Sequence, residues 1–146
     1  MVSFTARRAK AQLVAPARPT PHEIKFLSDM DDCAYLQYYI CLIEFFRPGP
    51  TTMDPATAIR TALAEALIHY YPAAGRLREM PGGRLVVDCT AQGVLFVEAD
   101  ADVLLEDFGQ PLLPPYPCVE ELLCDVNERT PVVGNPLVCM QVLRSY

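Results

Sequence analysis

Three residues in the stretch ALIHYYPAAGRLRE, positions 66–79, have side chains suited to chemistry. Histidine titrates near neutral pH, so His69 is a candidate general base. Arg76 and Arg78 lie on one face of an extended chain, where such a pair can hold a phosphate. The alternatives are structural, because a histidine at a helix C-terminus interacts favourably with the helix dipole and surface arginines form salt bridges or stay solvated. We favour the structural roles and expect the other histidine, His22, to be exposed in the loop PTPHE.

Two further segments match only part of a functional motif. EADAD, residues 98–102, alternates oxygen ligands as a calcium loop does, but it lacks the glycine and the glutamate that such a loop needs. DFG, residues 107–109, is a magnesium motif in kinases, but no glycine-rich loop or HRD sequence precedes it. The sequence also contains no G-x-S-x-G, P-loop or G-x-G-x-x-G motif. These residues therefore predict neither a catalytic nor a metal site.

The six cysteines stand at positions 33, 41, 89, 118, 124 and 139, without a C-x-x-C pair. With only two histidines as further ligands, the support for zinc is weak. Cys41 and Cys139 lie in apolar runs, where a thiol behaves as a small hydrophobic side chain. The even count leaves disulfides open, but no secretory hydrophobic segment starts the chain, so we expect a reducing, cytoplasmic location.

Length and composition favour one folded, soluble unit. The chain has 146 residues, of which 51% are hydrophobic and 21% charged, and no apolar run approaches the roughly 18 residues that span a bilayer. Residues 1–84 carry ten basic and eight acidic groups, whereas residues 85–146 carry two and ten. The acidic second part argues against a nucleic-acid partner, and its charges are expected to lie on solvated loops and strand ends.

The first nineteen residues contain four basic residues and no acidic one. That composition is typical of a transit peptide. The other interpretation is a short strand, VSFTA, followed by an extended lead-in with several prolines. We favour the strand, because the segment lacks the serine content and the clear amphipathic helix of transit peptides.

The clearest element is a helix over DPATAIRTALAEALIHYY, residues 54–71. Asp54 is a good N-cap, and Pro55 falls at the first helical position, where its missing N–H has no cost. Apolar residues from Ile59 to Tyr70 form one stripe, in which Leu63→Ala should cost about 2–5 kcal/mol if that side chain is buried. Pro72 ends the helix, and Gly75 is predicted to form a left-handed turn.

The remaining segments predict strands and short helices. RLREM and RLVVDC form a hairpin around Pro81-Gly82-Gly83, and VLFVEA and PLVCMQVLRSY are further strands. Aromatic and β-branched residues over 38–46 predict a strand covered on both faces. DADVLLEDFG predicts a short helix capped by Asp100 or Asp102, and CVEELLCDV predicts a second one. The expected fold class is α/β, with a mixed sheet, flanking helices and antiparallel pairing.

Five blocks of sequence, taken in order, resemble the start of the plant BAHD acyltransferases. They are PARPTP with KFLSDMDD, ALAEALIHYYPAAGRLRE, GRLVVDCTAQGVLFVEADADV, LLPPYPCVEELL and NPLVCMQV. The resemblance runs from Phe4 to Gln141 and is nearest to the branch that resembles benzyl alcohol O-benzoyltransferase. It implies two similarly folded domains of the chloramphenicol-acetyltransferase type, with 1–146 as an incomplete N-terminal domain.

The family resemblance also implies a reaction. Acyl-CoA and an alcohol or amine acceptor enter a channel between the two domains, with benzoyl-CoA and benzyl alcohol as one case. A histidine in an H-x-x-x-D motif deprotonates the acceptor, so that it attacks the thioester, and a late D-F-G-W-G motif is structural. The resemblance implies a full-length enzyme that is a monomer, takes acyl-CoA as co-substrate and binds no cofactor.

Neither family motif occurs in this sequence. The fourth residue after His69 is Ala73, the fourth after His22 is Phe26, and DFGQP lacks the Trp-Gly. We therefore expect residues 1–146 to stop before the H-x-x-x-D segment, to contain no catalytic residue and to be inactive alone. A non-catalytic binding or decoy module derived from such an enzyme is the alternative.

Two residues are candidates for substrate contact. Gln37 and Tyr38 precede a strand that in the family approaches the channel, although ordinary packing would also explain them. An apolar terminal strand without a partner would leave a sheet edge open, so we expect the chain to self-associate.

Overall fold

The computed structural model describes residues 3–33, 37–47, 49–50, 53–124 and 131–145. Its strands are β1 (Arg7–Arg8), β2 (Gln12–Val14), β3 (Ile24–Phe26), β4 (Arg76–Glu79), β5 (Leu85–Asp88), β6 (Val94–Ala101) and β7 (Cys139–Ser145). The α-helices are α1 (Pro55–His69) and α2 (Val119–Leu122), and 3₁₀ turns span Tyr71–Ala74 and Leu105–Phe108. This is the mixed α/β class predicted from the sequence. No helix among the described residues is long and apolar enough to cross a membrane.

Helix α1 begins and ends where the sequence predicts. The Asp54 carboxylate accepts a hydrogen bond from the backbone N–H of Thr57 at 2.9 Å, which satisfies one of the free donors of the first turn. At the other end, the N–H of Tyr70 still donates to Ala66, and the 3₁₀ turn that contains Pro72 follows. The apolar stripe is confirmed only in part. Leu67 is buried and Ile59 and Leu63 are half-buried, whereas Ala62, Ala66 and Tyr70 are exposed.

Strand β6 is the centre of the first sheet. β1 and β2 pair antiparallel with one of its edges, and β7 pairs parallel with the other. Side chains alternate along β6, so Phe96 faces α1 whereas Ala101 faces Phe4 and Phe108 on the opposite side. The parallel β6–β7 pair adds to the antiparallel pairing that the sequence predicts and makes the sheet mixed.

The second sheet contains the predicted hairpin. β4 and β5 pair antiparallel with Glu79 opposite Leu85, and β3 pairs with the other edge of β5. Gly82 and Gly83 both have positive φ in the turn, as a tight hairpin requires. Every residue of β5 is buried, so this strand forms the core of the second sheet.

The predicted strand at 38–46 is wrong. The segment joins neither sheet, and its even-numbered side chains face solvent, with Tyr38, Ile40, Leu42 and Phe46 exposed by 53%, 81%, 82% and 76%. Tyr39, Ile43 and Phe45 are partly buried. The composition indicated a covered strand, but a strand also needs a neighbour to accept its backbone hydrogen bonds, and none of the described residues takes that place.

Three smaller predictions need correction. Gly75 has φ −87° and forms no left-handed turn. The turn at Leu105–Phe108 is capped by Asp107, whose carboxylate accepts from the N–H of Leu104, rather than by Asp100 or Asp102. The second predicted helix is only the four-residue α2, and its last predicted residues, 125 and 126, lie outside the described residues, as does Tyr146.

The basic N-terminal segment is part of the first sheet. Its strands are β1 and β2 rather than VSFTA, and Phe4 is buried against the end of β6. The structure therefore agrees with the strand interpretation of this segment and shifts the strand towards the C-terminus.

Candidate functional site

Gln37 and Tyr38 lie at a bend that is anchored to the loop before β7. The carbonyl of Gln37 accepts a hydrogen bond from the N–H of Val132 at 3.2 Å, and the Tyr38 ring is exposed. The next residue, Tyr39, donates its hydroxyl to the carbonyl of Pro136 at 2.6 Å. The structure thus anchors the backbone of Gln37 and the side chain of Tyr39 on either side of Tyr38, whereas the assignment of Gln37 and Tyr38 to a substrate channel stays a prediction.

Behind this bend lies Arg76, for which the sequence predicted a salt bridge or a solvated position. Its side chain is buried, and Nη1 donates to the carbonyl oxygens of Gly75 at 2.6 Å and Gly93 at 2.9 Å. Arg76 also forms an isolated antiparallel bridge with Pro136. This arginine therefore joins the start of β4, the residue before β6 and the loop before β7.

Burial controls the ionisation of the groups around Arg76. Burial and the neighbouring Cys139 raise the pKa of Tyr39 to about 12. Burial also raises the pKa of the Cys139 thiol, and it lowers the pKa of the Arg76 guanidinium. At neutral pH the site therefore contains a neutral phenol, a neutral thiol and one cation.

The sequence pattern indicated neither the burial of Arg76 nor its proximity to Tyr39 and Cys139. One local signal was available in the small residues that precede the arginine. Ala74 and Gly75 are both buried, and a Cβ added to Gly75 would lie 2.4 Å from the carbonyl oxygen of Asp88. Small residues at these positions let β4 begin in close contact with β5.

Arg76 and Arg78 do not converge on a common ligand. Arg78 Nε lies 2.9 Å from one carboxylate oxygen of the buried Asp88, and His22 Nε2 lies 3.3 Å from the other. The salt bridge expected for this arginine pair is therefore confirmed for Arg78. His22 is exposed as predicted, and its ring contacts a carboxylate.

His69 lies at the exposed end of α1, on the rim of a wide groove of about 360 Å³ that Lys25, Tyr70 and Tyr71 also line. Nothing in this groove orients His69 towards a nucleophile, since its described neighbours are a lysine and two tyrosines. Among the described residues, no group of three or more histidine, cysteine or carboxylate side chains is arranged to hold a metal ion.

The sequence model of the Transferase family matches residues 4–144, nearly the whole chain. The chain belongs to the BAHD acyltransferase family. Acyl transferase 1 of Oryza sativa subsp. japonica is 60% identical over 155 residues, which cover 97% of this chain and 32% of that protein. Benzyl alcohol O-benzoyltransferase of Nicotiana tabacum is 54% identical, covering 97% of this chain and 31% of that enzyme.

A solved structure extends this likeness to the fold of a BAHD enzyme. Vinorine synthase superposes on 70% of this chain with a TM-score of 0.52 and 28% identity, and the matched part is 25% of its own chain. The family resemblance drawn from the sequence and the predicted fold class are thus both confirmed. This BAHD chain spans about a third of the length of the curated relatives that it matches.

Proposed function

We propose that this chain forms part of an acyl-CoA-dependent acyltransferase that transfers a benzoyl group from benzoyl-CoA to benzyl alcohol. The observation that carries the proposal is the 54% identity to the tobacco benzyl alcohol O-benzoyltransferase along 97% of this chain. In the reaction the C–S bond of the thioester breaks, a C–O bond forms, and the proton of the alcohol ends on the CoA sulfur. Benzyl benzoate and free CoA are the products.

We further propose that residues 1–146 alone do not perform this reaction. In the family, a histidine followed four residues later by aspartate removes the proton of the acceptor, and neither His22 nor His69 has that spacing. The groups around Arg76 offer no substitute base, since the Tyr39 phenol and the Cys139 thiol both have raised pKa values. The contribution of this chain would be to shape one wall of the substrate channel.

A chimeric enzyme tests the proposal. Residues 4–144 replace the matching part of the tobacco enzyme, and benzyl benzoate is measured by chromatography after addition of benzoyl-CoA and benzyl alcohol. Product should be quantified directly, because thiol reagents for CoA would also react with the free cysteines of the chain. The expected result is turnover by the chimera and none by residues 1–146 alone. A folded chimera without turnover would contradict the proposed reaction. Turnover by residues 1–146 alone would contradict the proposal that this chain is inactive by itself.

The same chimera tests the two channel residues. Gln37→Ala and Tyr38→Ala should raise KM for benzyl alcohol, because in the family the strand that follows these residues approaches the substrate channel. Met30→Ala is the control for Tyr38→Ala, since Met30 is, like Tyr38, a large exposed side chain, but outside the 37–47 segment. Spermidine as acceptor distinguishes an amine from an alcohol specificity. An unchanged KM in both channel variants would remove Gln37 and Tyr38 from the channel.

A binding module that pairs with an intact relative is the second candidate function, and the exposed row of Tyr38, Ile40, Leu42 and Phe46 favours it. These side chains follow the two-residue period of a strand, and the described residues provide no backbone partner for positions 40–47. An extended segment of this kind can pair with another strand. The same row would also drive self-association of the chain.

Analytical ultracentrifugation tests this second candidate. The chain alone should sediment as a dimer or a larger species, and it should co-sediment with the intact tobacco enzyme. Leu42→Glu should weaken both associations, whereas Met30→Glu, at a site that is 81% exposed, should not. A monomer that does not bind the tobacco enzyme would refute both self-association and pairing with an intact relative.

We also propose a cytoplasmic location. Five cysteines are free thiols in the structure, as a reducing compartment would maintain them, namely Cys33, Cys41, Cys89, Cys124 and Cys139. A fluorescent fusion should be diffuse in the cytoplasm of plant cells, and accumulation in an organelle would contradict the proposal.

A further inference from the structure

Arg76 is a buried cation without an acidic partner among the described residues. Its side chain is 7% exposed, and the hydrogen bonds that it donates both come from Nη1 and go to neutral carbonyl oxygens. Transferring a guanidinium out of water is costly unless an opposite charge or a full set of hydrogen bonds compensates. Two carbonyl oxygens supply only part of that compensation.

Among the described residues, the acidic groups that the fold brings to Arg76 are engaged or neutral. Asp88 lies opposite Arg76 in the β4–β5 pair, but its two carboxylate oxygens contact Arg78 and His22. Tyr39 and Cys139 remain protonated at neutral pH because burial raises the pKa of each. No described residue therefore neutralises the positive charge of Arg76.

The rest of the guanidinium has unused hydrogen-bond donors. Nε and Nη2 donate to no acceptor within the described part of the chain. Arg60 Nε is sealed from solvent without a partner, whereas neither of these two nitrogens of Arg76 is. The Nε–Nη2 edge is the planar fork that binds two oxygens of one anion side by side.

We propose that the Nε–Nη2 edge of Arg76 binds a small oxyanion, a carboxylate or a phosphate, where β4 meets the loop before β7. The two carbonyl oxygens hold the opposite side of the guanidinium in place, so the fork is fixed before the ligand arrives. The Tyr39 hydroxyl is committed to Pro136 and does not compete for the ligand. This site does not depend on acyl transfer, and the chimera described above tests that function separately.

Thermal unfolding of the full 146-residue chain tests the site. Sodium acetate, sodium phosphate and sodium chloride are titrated at matched ionic strength, and Tm is followed by far-UV circular dichroism. Acetate or phosphate should raise Tm with a saturable dependence, because a ligand that binds the folded state stabilises it by mass action. Chloride should not, since it cannot fill the fork. Saturation by acetate alone identifies a carboxylate site, and saturation by phosphate alone identifies a phosphate site.

Two variants and a control connect the effect to Arg76. Arg76→Met should abolish the saturable rise in Tm. Arg76→Lys keeps the charge but loses the planar pair of donors, so its affinity for the anion should be at least about tenfold weaker. Arg78→Met is the control and should respond like the wild type, because Arg78 is bonded to Asp88. If Arg76→Met does not fold, the affinity of Arg76→Lys for the anion tests the proposal by itself. An equal rise with chloride, or unchanged affinity in Arg76→Lys, overturns the proposal.

Discussion

Gly93 is the residue at which the structure makes its sharpest stability prediction. Its φ is +104°, and a Cβ added there would lie 2.5 Å from the carbonyl oxygen and 2.7 Å from the carbonyl carbon of Val14. Both atoms belong to the backbone of β2, which is paired with β6 and cannot move aside as a side chain would. Gly93→Ala therefore combines an unfavourable backbone conformation with a steric clash.

Two other glycines separate these contributions. Gly82 has φ +99° with open space around it, so Gly82→Ala carries only the conformational cost, about 1–3 kcal/mol. Gly75 has φ −87° but would place its Cβ 2.4 Å from the Asp88 carbonyl oxygen, so Gly75→Ala carries only the clash, also about 1–3 kcal/mol. Gly93→Ala should incur both costs, about 2–6 kcal/mol together, out of a total stability of about 5–15 kcal/mol.

Urea unfolding followed by far-UV circular dichroism measures the three variants. The midpoint should fall least for Gly82→Ala and most for Gly93→Ala, with an unchanged slope, since the surface exposed on unfolding is the same. The measurements should be made at concentrations where the midpoint no longer depends on the amount of protein. If Gly93→Ala is no less stable than Gly82→Ala, the proximity of Val14 has no energetic consequence and the reasoning fails.

Two further predictions concern α1. Hydrogen bonds from Arg144, and then from Thr57, lower the pKa of the Asp54 carboxyl from its ordinary 3.8 to about 2. The stabilisation from the ionised Asp54 is therefore complete above about pH 4 and is lost as the pH falls towards 2. Asp54→Asn keeps the cap but removes the charge, so between about pH 4 and pH 2 its Tm should fall less than that of the wild type. An equal dependence of Tm on pH in the two proteins would contradict this. Leu67→Ala should lower the free energy of unfolding by about 2–5 kcal/mol, because Leu67 is buried against Ala74 and Val94. Leu63→Ala should lower it less, because Leu63 is half-buried. Urea unfolding measures both variants, and a larger loss for Leu63→Ala would contradict this packing.

Local sequence signals predicted the elements that depend on neighbouring residues. Asp54 and Pro55 set the start of α1, and Pro72 set its end, because capping and proline geometry act within one turn of helix. The hairpin around Gly82 was predicted for the same reason, since the turn needs positive φ within the turn itself. The family resemblance also depended on the order of sequence blocks and needed no coordinates.

Predictions that depend on distant partners were less successful. The composition of residues 38–46 indicated burial, but burial of a strand is decided by the neighbouring strand, and the described residues provide none. Arg76 was expected in a salt bridge or on a solvated face, since its sequence neighbours do not show that Gly93 and Pro136 lie around it. Gln37 and Tyr38 were named from the resemblance, and their role in a channel is still a prediction.

The sequence by itself determined the family, the mixed α/β class, helix α1 and the β4–β5 hairpin, because each depends on short-range geometry or on the order of sequence blocks. Only the tertiary structure decided that Arg78 has a carboxylate partner while Arg76 has none among the described residues, that β7 runs parallel to β6, and that one face of the 37–47 segment is exposed. The physical reason is that charge compensation and strand pairing involve residues far apart in the chain, and only the folded chain brings those residues together.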